Sequence, residues 1–373
     1  MLRLTLASFS LLIALPLLFT FNTLFMWKVT LLVGEYGHRL ALGSLILVLF
    51  CWFSRSYVAM IMSALASGIL LSPLVTAYVL SLSLPAKMKA AFGSSLPTNP
   101  IVWSDLWLGG RMPKQDSTEH LLPERAPGTV RRMLFFKAHS DEPAPLILVI
   151  HGGGWQNGSA EEFAEWSSQW ATEGYAVVSL EYRLAPQWTW PAPLEDVQDT
   201  LAYVRQNAAS LKVDASRVIL LGRSAGGQIA TAAAVQLHDP AIRGVVSLYA
   251  PADMEFAHRF ADPNDVLDSF KLLRQYMGGD PVQEPKKYLT ASATLTADST
   301  CPPMLLIHGQ RDILVWHLQS RRLAEHLRRQ DVPHVFLDLP WATHAFDYPL
   351  HGPSSQLTRY AVRSFLQARF SQE

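Results

Sequence analysis

The chain opens on an apolar pattern that is almost unbroken: through residue 85 the only formally charged side chains are Arg3, Lys28, Glu35, Arg39 and Arg55. Residues 4–27 form a run of about 24 uncharged positions, enough to cross a hydrocarbon core of about 30 Å with some tilt. A removable secretory leader would also be apolar, but this run lacks a small-x-small cleavage site and is long for one. The run 40–53 is shorter and reaches spanning length only if its helix begins near Tyr36, with His38 and Arg39 at the interface. Residues 57–84 are long enough again, with a kink expected at Pro73. None of the three shows the polar stripe of an amphipathic helix on a soluble core. The pattern therefore predicts transmembrane helices, about three, in residues 1–85, making membrane lipid one partner of the chain. Three spans put Lys28, Arg39, Lys87 and Lys89 on the side of the later domain and Arg3 and Arg55 opposite. The positive-inside bias then leans to a cytoplasmic catalytic domain.

Residues 86–128, rich in Pro, Gly and Ser, read as a linker or lid, with one apolar island at 101–108 expected to pack in the core. From residue 129 a second period takes over. Short runs at 130–136, 146–150, 175–180, 218–221, 244–249, 304–308 and 334–339 read as strands. Helical stretches at 161–172, 194–206, from 225 onward, at 315–329 and at 355–370 alternate with them. That alternation predicts an α/β domain over 129–373, a mostly parallel sheet with helices on both faces. Residues 252–300 break the rhythm with a helical stretch at 263–277 and polar loop, as an insertion capping the sheet's carboxyl edge does. No internal repeat is present.

Composition adds exclusions. With 31 basic and 31 acidic residues the formal net charge is zero, so no overall field draws nucleic acid. Two cysteines, Cys51 and Cys301, make neither a disulfide framework nor a thiolate metal site.

The candidate chemistry centres on Gly222-Arg223-Ser224-Ala225-Gly226, between a buried strand and an Ala-rich helix. A serine on so sharp a turn has a strained backbone and needs small neighbours, and the turn exposes its hydroxyl at a helix N-terminus. Serine is a poor nucleophile unless a base takes its proton and a third group holds the base. His344, on a loop after the strand 334–339, and Asp312, at the end of the strand 304–308, return to the same edge in the order serine, acid, base. His151-Gly152-Gly153-Gly154-Trp155 follows a buried strand and can turn amides toward a reacting carbonyl; Gly153, Gly154 and the amide of Ala225 are the candidate oxyanion hole. His151 is read as loop support. Trp155, Trp188, Trp190 and Trp341 are candidates for an apolar acyl pocket, though packing is the better reading for at least two of them.

Taken together, His151 to Gly154, Tyr182-Arg183-Leu184-Ala185-Pro186, Gly222 to Gly227, Asp312 and His344 resemble the α/β-hydrolase superfamily. Within it they are similar to carboxylesterases of the hormone-sensitive lipase type, over about residues 130–372. The resemblance implies an α/β-hydrolase fold, a Ser224–Asp312–His344 triad, oxyanion amides from Gly153, Gly154 and Ala225, and a bracing role for Arg183. It implies no metal and no organic cofactor. The chain departs from the pattern at Arg223, often acidic in such esterases, and at Ala345, usually glycine. Trp155 and its spacing to Gly158 look more like isoprenylcysteine methylesterases, formamidases and feruloyl-type esterases. The function so implied is a membrane-anchored serine hydrolase acting on a small-molecule or lipid ester with a short or medium acyl chain. An amidase, an acyltransferase or a non-catalytic binding domain are the alternatives.

Overall fold

The computed structural model describes residues 1–125, 131–261 and 265–371. Its N-terminal apolar region is built from α1 (Leu2–Ala14), α2 (Leu24–Phe53) and α3 (Tyr57–Phe92). The first apolar run is not one span over 4–27. Proline disfavours the helix before it, and α1 gives way at Pro16 to a single 3₁₀ turn, Leu15–Leu17. After a short connection, Thr23 Oγ1 accepts from Met26 N at 3.2 Å and caps α2, which thus starts well before Tyr36. Two described helices, α2 and α3, are long and apolar enough to cross a membrane. Leu2–Leu17 rises only about 24 Å, short of the core thickness. The expectation of three spans is corrected to two long helices with a shorter apolar companion.

The expected boundary at residue 85 also moves, because it falls inside α3. That helix carries Pro73 and Pro85 within it and ends only at Gly93, in the left-handed conformation, whose amide donates to Lys89 O at 2.9 Å. Its later half belongs to the catalytic core. Leu74, Leu84, Met88 and Phe92 share one buried cluster with Phe365 and Leu366 of the closing helix Pro353–Phe370.

At one end of the helical region Arg3 Nη1 donates to Ser54 O at 3.3 Å. At the other, α2 is bonded to the sheet domain. Trp27 Nε1 donates to His344 O at 3.2 Å, and buried Glu35 accepts from Ser354 N at 3.0 Å and Ser354 Oγ at 2.5 Å. Arg39 Nε donates to Leu106 O at 2.9 Å, filling an orphan carbonyl at the end of α4 (Trp103–Leu108). The apolar island at 101–108 thus packs beside α2 and α3: Ile101 and Leu106 are buried, while Trp103 and Leu108 stay exposed.

The sheet holds strands β1 (Thr118–Leu122), β2 (Arg131–Phe136), β3 (Ala144–Ile150), β4 (Ala176–Leu180), β5 (Val213–Arg223), β6 (Ile242–Leu248), β7 (Met304–Gly309) and β8 (His334–Leu339). Their order is β1-β2-β4-β3-β5-β6-β7-β8, antiparallel at β1/β2 and β2/β4 and parallel from there on. β1 lies in the region read as linker, and its exposed side chains hid it: only Leu122 is buried. Residue 130 and the start of the helical stretch at 263 lie outside the described residues. The other expected strands and helices are present with ends shifted by a few residues.

Register positions the site. Ile150 pairs with Gly222, Arg223 with Leu248, Leu248 with Ile307, and Gly309 with Leu339. Five strands therefore end level, and the loops carrying the glycine run, Ser224, Asp312 and His344 leave from one edge. Helices Met254–Arg259, Ser269–Met277, Pro285–Thr290 and Ala293–Thr296 follow β6 as the expected insertion.

Candidate active site

Ser224 sits between β5 and the helix Ala225–Gln236 with φ 52° and ψ −121°, a backbone that side chains other than glycine adopt only under strain. The flanking glycines make it possible. A Cβ on Gly226 would lie 2.1 Å from Ile150 O, and one on Gly222 would lie 2.1 Å from Gly226 O. The helix behind is Ala-rich and almost wholly buried, which lets it press against the sheet and hold the turn.

His344 Nε2 lies 2.9 Å from Ser224 Oγ and its Nδ1 lies 2.6 Å from Asp312 Oδ2. The other carboxylate oxygen, Asp312 Oδ1, accepts from Leu314 N and Val315 N, both at 2.8 Å. Burial alone would raise the Asp312 carboxyl; the facing His344 and His308 outweigh it and hold the group well below the usual carboxylate range. The structure thus brings Ser224, His344 and Asp312 into one chain of hydrogen bonds.

A second histidine completes that chain and was not singled out from sequence, where it read as strand. His308 Nε2 lies 3.2 Å from Asp312 Oδ2 and 3.0 Å from Val315 O, and its Nδ1 lies 2.8 Å from Ser320 Oγ. Two acceptors at Nε2 fix the proton there, so Ser320 donates to Nδ1. Arg223 and Asp347 form another unforeseen pair, Nε to Oδ2 at 2.6 Å, buried on both sides. Tyr249 donates to Asp347 Oδ1 at 2.6 Å, and its ring meets that of His344 edge-on at 4.6 Å. The arginine that departs from the family pattern therefore has its own carboxylate partner behind the histidine loop. Ala345, where glycine is usual, takes a positive φ of 56°.

In the glycine loop, Gly154 and Ala225 line the cleft with Ser224. Gly153 lies behind them with φ +96°, its carbonyl accepting from Gln156 N and Asn157 N at 3.2 and 3.0 Å. A Cβ there would sit 2.0 Å from Asn157 O. His151 stacks on Tyr182, ring centroids 4.3 Å apart, and burial pushes its imidazole down to about 4. Support for this loop comes from Tyr182, whose hydroxyl donates to Gly152 O at 3.0 Å. Arg183, the expected brace, turns the other way, donating to Asp196 Oδ1 at 2.8 Å and to Glu195 and Ala192 O. Its guanidinium finds two carboxylates and a carbonyl in the first turn of the helix Ala192–Gln206, which the glycine loop does not offer.

The cleft over Ser224 has a volume of about 350 Å³. Of the four tryptophans considered for its walls only Trp155 lines it, stacked on Tyr276 at 4.4 Å. Trp188 lies under Arg183, Trp190 donates to Thr290 Oγ1, and Trp341 is buried beside Gly34 of α2. The apolar walls are instead Phe256, Phe260, Leu272 and Leu273 of the insertion, with Ile313 and Trp316. Their spacing in the sequence gave no sign that they converge.

The level strand ends, the strained serine turn and the serine–histidine–aspartate chain define an α/β-hydrolase. More narrowly, the family model described as BD-FAE matches residues 134–327, and the chain belongs to that family, among carboxylesterases of the hormone-sensitive lipase type. Esterase LipC of Mycobacterium tuberculosis is 30% identical over 257 residues, 62% of this chain and 62% of its own length. Esterase LipQ of the same organism is 30% identical over 298 residues, 76% of this chain and 63% of its own. The chain thus spans a little over six-tenths of these relatives. Among solved structures, a bacterial heroin esterase superposes with TM-score 0.60 at 21% identity, covering 78% of this chain and 93% of that one. Esterase LipW of Mycobacterium marinum gives 0.57 at 22%, covering 82% and 91%; both show the fold.

Proposed function

We propose that the protein is a membrane-associated serine esterase that transfers the acyl group of a carboxylic ester to water. The observation that carries this reading is the Ser224–His344–Asp312 chain at 2.9 and 2.6 Å, opening on a cleft with apolar walls. His344 Nε2 takes the hydroxyl proton as Ser224 Oγ attacks the ester carbonyl, while Asp312 fixes the tautomer and steadies the imidazolium. The tetrahedral oxyanion sits on the amides of Gly154 and Ala225, with Gly153 shaping the loop and contributing its own amide. Each such donor is worth on the order of 3 kcal/mol of barrier. His344 then protonates the leaving alcohol, and water repeats the sequence on the acyl-enzyme. No step calls for a metal or an organic cofactor.

The named relatives are esterases, which favours esters over amides. The modest cleft favours short or medium acyl chains. Membrane association through residues 1–92 is supported by the length and apolarity of α2 and α3. A cytoplasmic catalytic domain is supported by Lys28, Arg39, Lys87 and Lys89, which lie toward the sheet domain on α2 and α3.

The test is labelling of the detergent-extracted protein with a fluorophosphonate beside Ser224→Ala. Labelling and ester turnover in the wild type, both abolished in the variant, support the reading; a folded wild type that neither labels nor turns over ester overturns it.

A further inference from the structure

The connection between the first two helices lies at the catalytic cleft. Thr20 and Asn22 line it together with Ser224. Arg311, one residue before Asp312, pins that connection by donating through Nη2 to Phe19 O at 2.6 Å and Pro16 O at 3.0 Å. Ile313 lines the cleft and also the small hollow under Phe19, Phe21 and Trp27, so the two surfaces adjoin. Around this mouth large apolar side chains are exposed: Phe19 56%, Phe260 55% and Trp316 48%. Trp316 and Phe256 stack at 5.7 Å, which holds the insertion's side of the rim. Asp265, which also lines the cleft, is turned to its own backbone, accepting from Leu267 N at 2.9 Å and Ser269 N at 3.0 Å. The same connection leads directly into α2, whose Leu24, Phe25 and Leu32 are exposed.

A water-soluble ester gains nothing from such a rim, whereas an ester with an apolar tail buries the tail along it. We propose that the substrate is an amphiphilic ester taken from the lipid phase, its short acyl group in the cleft. Its long alcohol portion leaves past the connection 18–23. Thr20 and Asn22 are then specificity-determining residues supplied by the apolar helical region, which is a wall of the active site as well as an anchor. This inference rests on the serine esterase reading.

The test uses the full chain in phosphatidylcholine vesicles with acetate esters of straight-chain alcohols of increasing length. The expected result is a kcat/KM that rises by up to about fourfold for each of the first added methylenes, so that a long-alcohol acetate exceeds ethyl acetate by tenfold or more. Asn22→Trp and, separately, Thr20→Trp narrow the mouth and lower that ratio at least tenfold, while fluorophosphonate still labels Ser224. A labelled wild type with no preference for the longer alcohol overturns the inference and leaves the esterase reading standing. Variants that keep the ratio, or that lose both esters equally, also overturn it. The wild-type series is decisive even where a variant fails to fold. Absence of both labelling and turnover in the wild type overturns the esterase reading itself.

Discussion

His151 shows what burial does to one titratable side chain in the loop beside Ser224. Its imidazole is stacked on Tyr182, 2% exposed, and pushed down from 6.5 to about 4. Between those values the unfolded chain binds a proton that the fold excludes, so stability falls as pH falls through that window. A difference of about 2.5 in pKa corresponds to about 3 kcal/mol. Asp312 acts elsewhere: its carboxyl is held below the usual range, so its contribution is lost only in stronger acid. His151→Gln is therefore expected to flatten the pH dependence of the unfolding midpoint between pH 6.5 and 4, whatever it does to the midpoint at pH 7. A variant as acid-sensitive as the wild type in that window would mean that the acid response comes from other groups. Arg223 illustrates the limit of motif reading at the same scale. Its departure from the family pattern was visible, but its partner Asp347, 124 positions later, was not, because the pair exists only once β5 and the histidine loop are folded together. Removing one member of so buried a pair typically costs about 3–5 kcal/mol.

Among the elements, those with strong periods were legible. The central parallel strands are continuous apolar runs buried on both faces, and the helix after Ser224 is Ala-rich, so position, type and order could be read from pattern alone. β1 was not legible, since an edge strand that buries one side chain carries no hydrophobic signal. The ends of α1 and α2 were misplaced because uninterrupted apolarity has no internal punctuation except Pro16 and the cap at Thr23. The candidate triad was legible because each member sits at a strand end in a short motif. The cleft walls were not, because Phe256, Phe260, Leu272 and Trp316 come from segments without a fixed spacing to the serine. The docking of α2 on the histidine loop has a measurable consequence. Trp27 Nε1 donates to His344 O across 317 positions of sequence, steadying a loop in which the next residue, Ala345, holds a positive φ. Trp27→Phe keeps an aromatic body and deletes that bond, worth about 1 kcal/mol. The expected result is a kcat and a fluorophosphonate labelling rate each lower by about fivefold, with KM little changed. Equal rates in variant and wild type would show that the helix does not steer the base.

At the scale of the whole molecule, the division into an anchor and a catalytic domain is blurred by α3. Its first half lies among the apolar helices. Its second half is core: Leu74, Ala77, Leu84, Met88 and Phe92 are buried in the cluster that also holds Phe365 and Leu366, and Phe92 meets Phe365 edge-on at 4.8 Å. A fragment of residues 86–373, which a boundary at the end of the apolar sequence would suggest, keeps Met88 and Phe92 without the helix that presents them. It also strips Leu31, Leu74, Ala77 and Leu84 from the cluster and Trp27 and Glu35 from their partners. Loss of a single large buried side chain typically costs 2–5 kcal/mol, against a typical net stability of about 5–15 kcal/mol for a domain. Losing three at once, with a buried carboxylate's partners left bare at Ser354, removes most of that margin. The fragment is expected to be recovered aggregated, or to melt far below the full chain in the same detergent and to lose fluorophosphonate labelling. A monomeric 86–373 that labels and melts within a few degrees of the full chain would instead make the helices a tether. Because Thr20 and Asn22 line the cleft and α3 completes the core, a single body is the expectation: the helical region and the sheet fold together, and the site they enclose belongs to both.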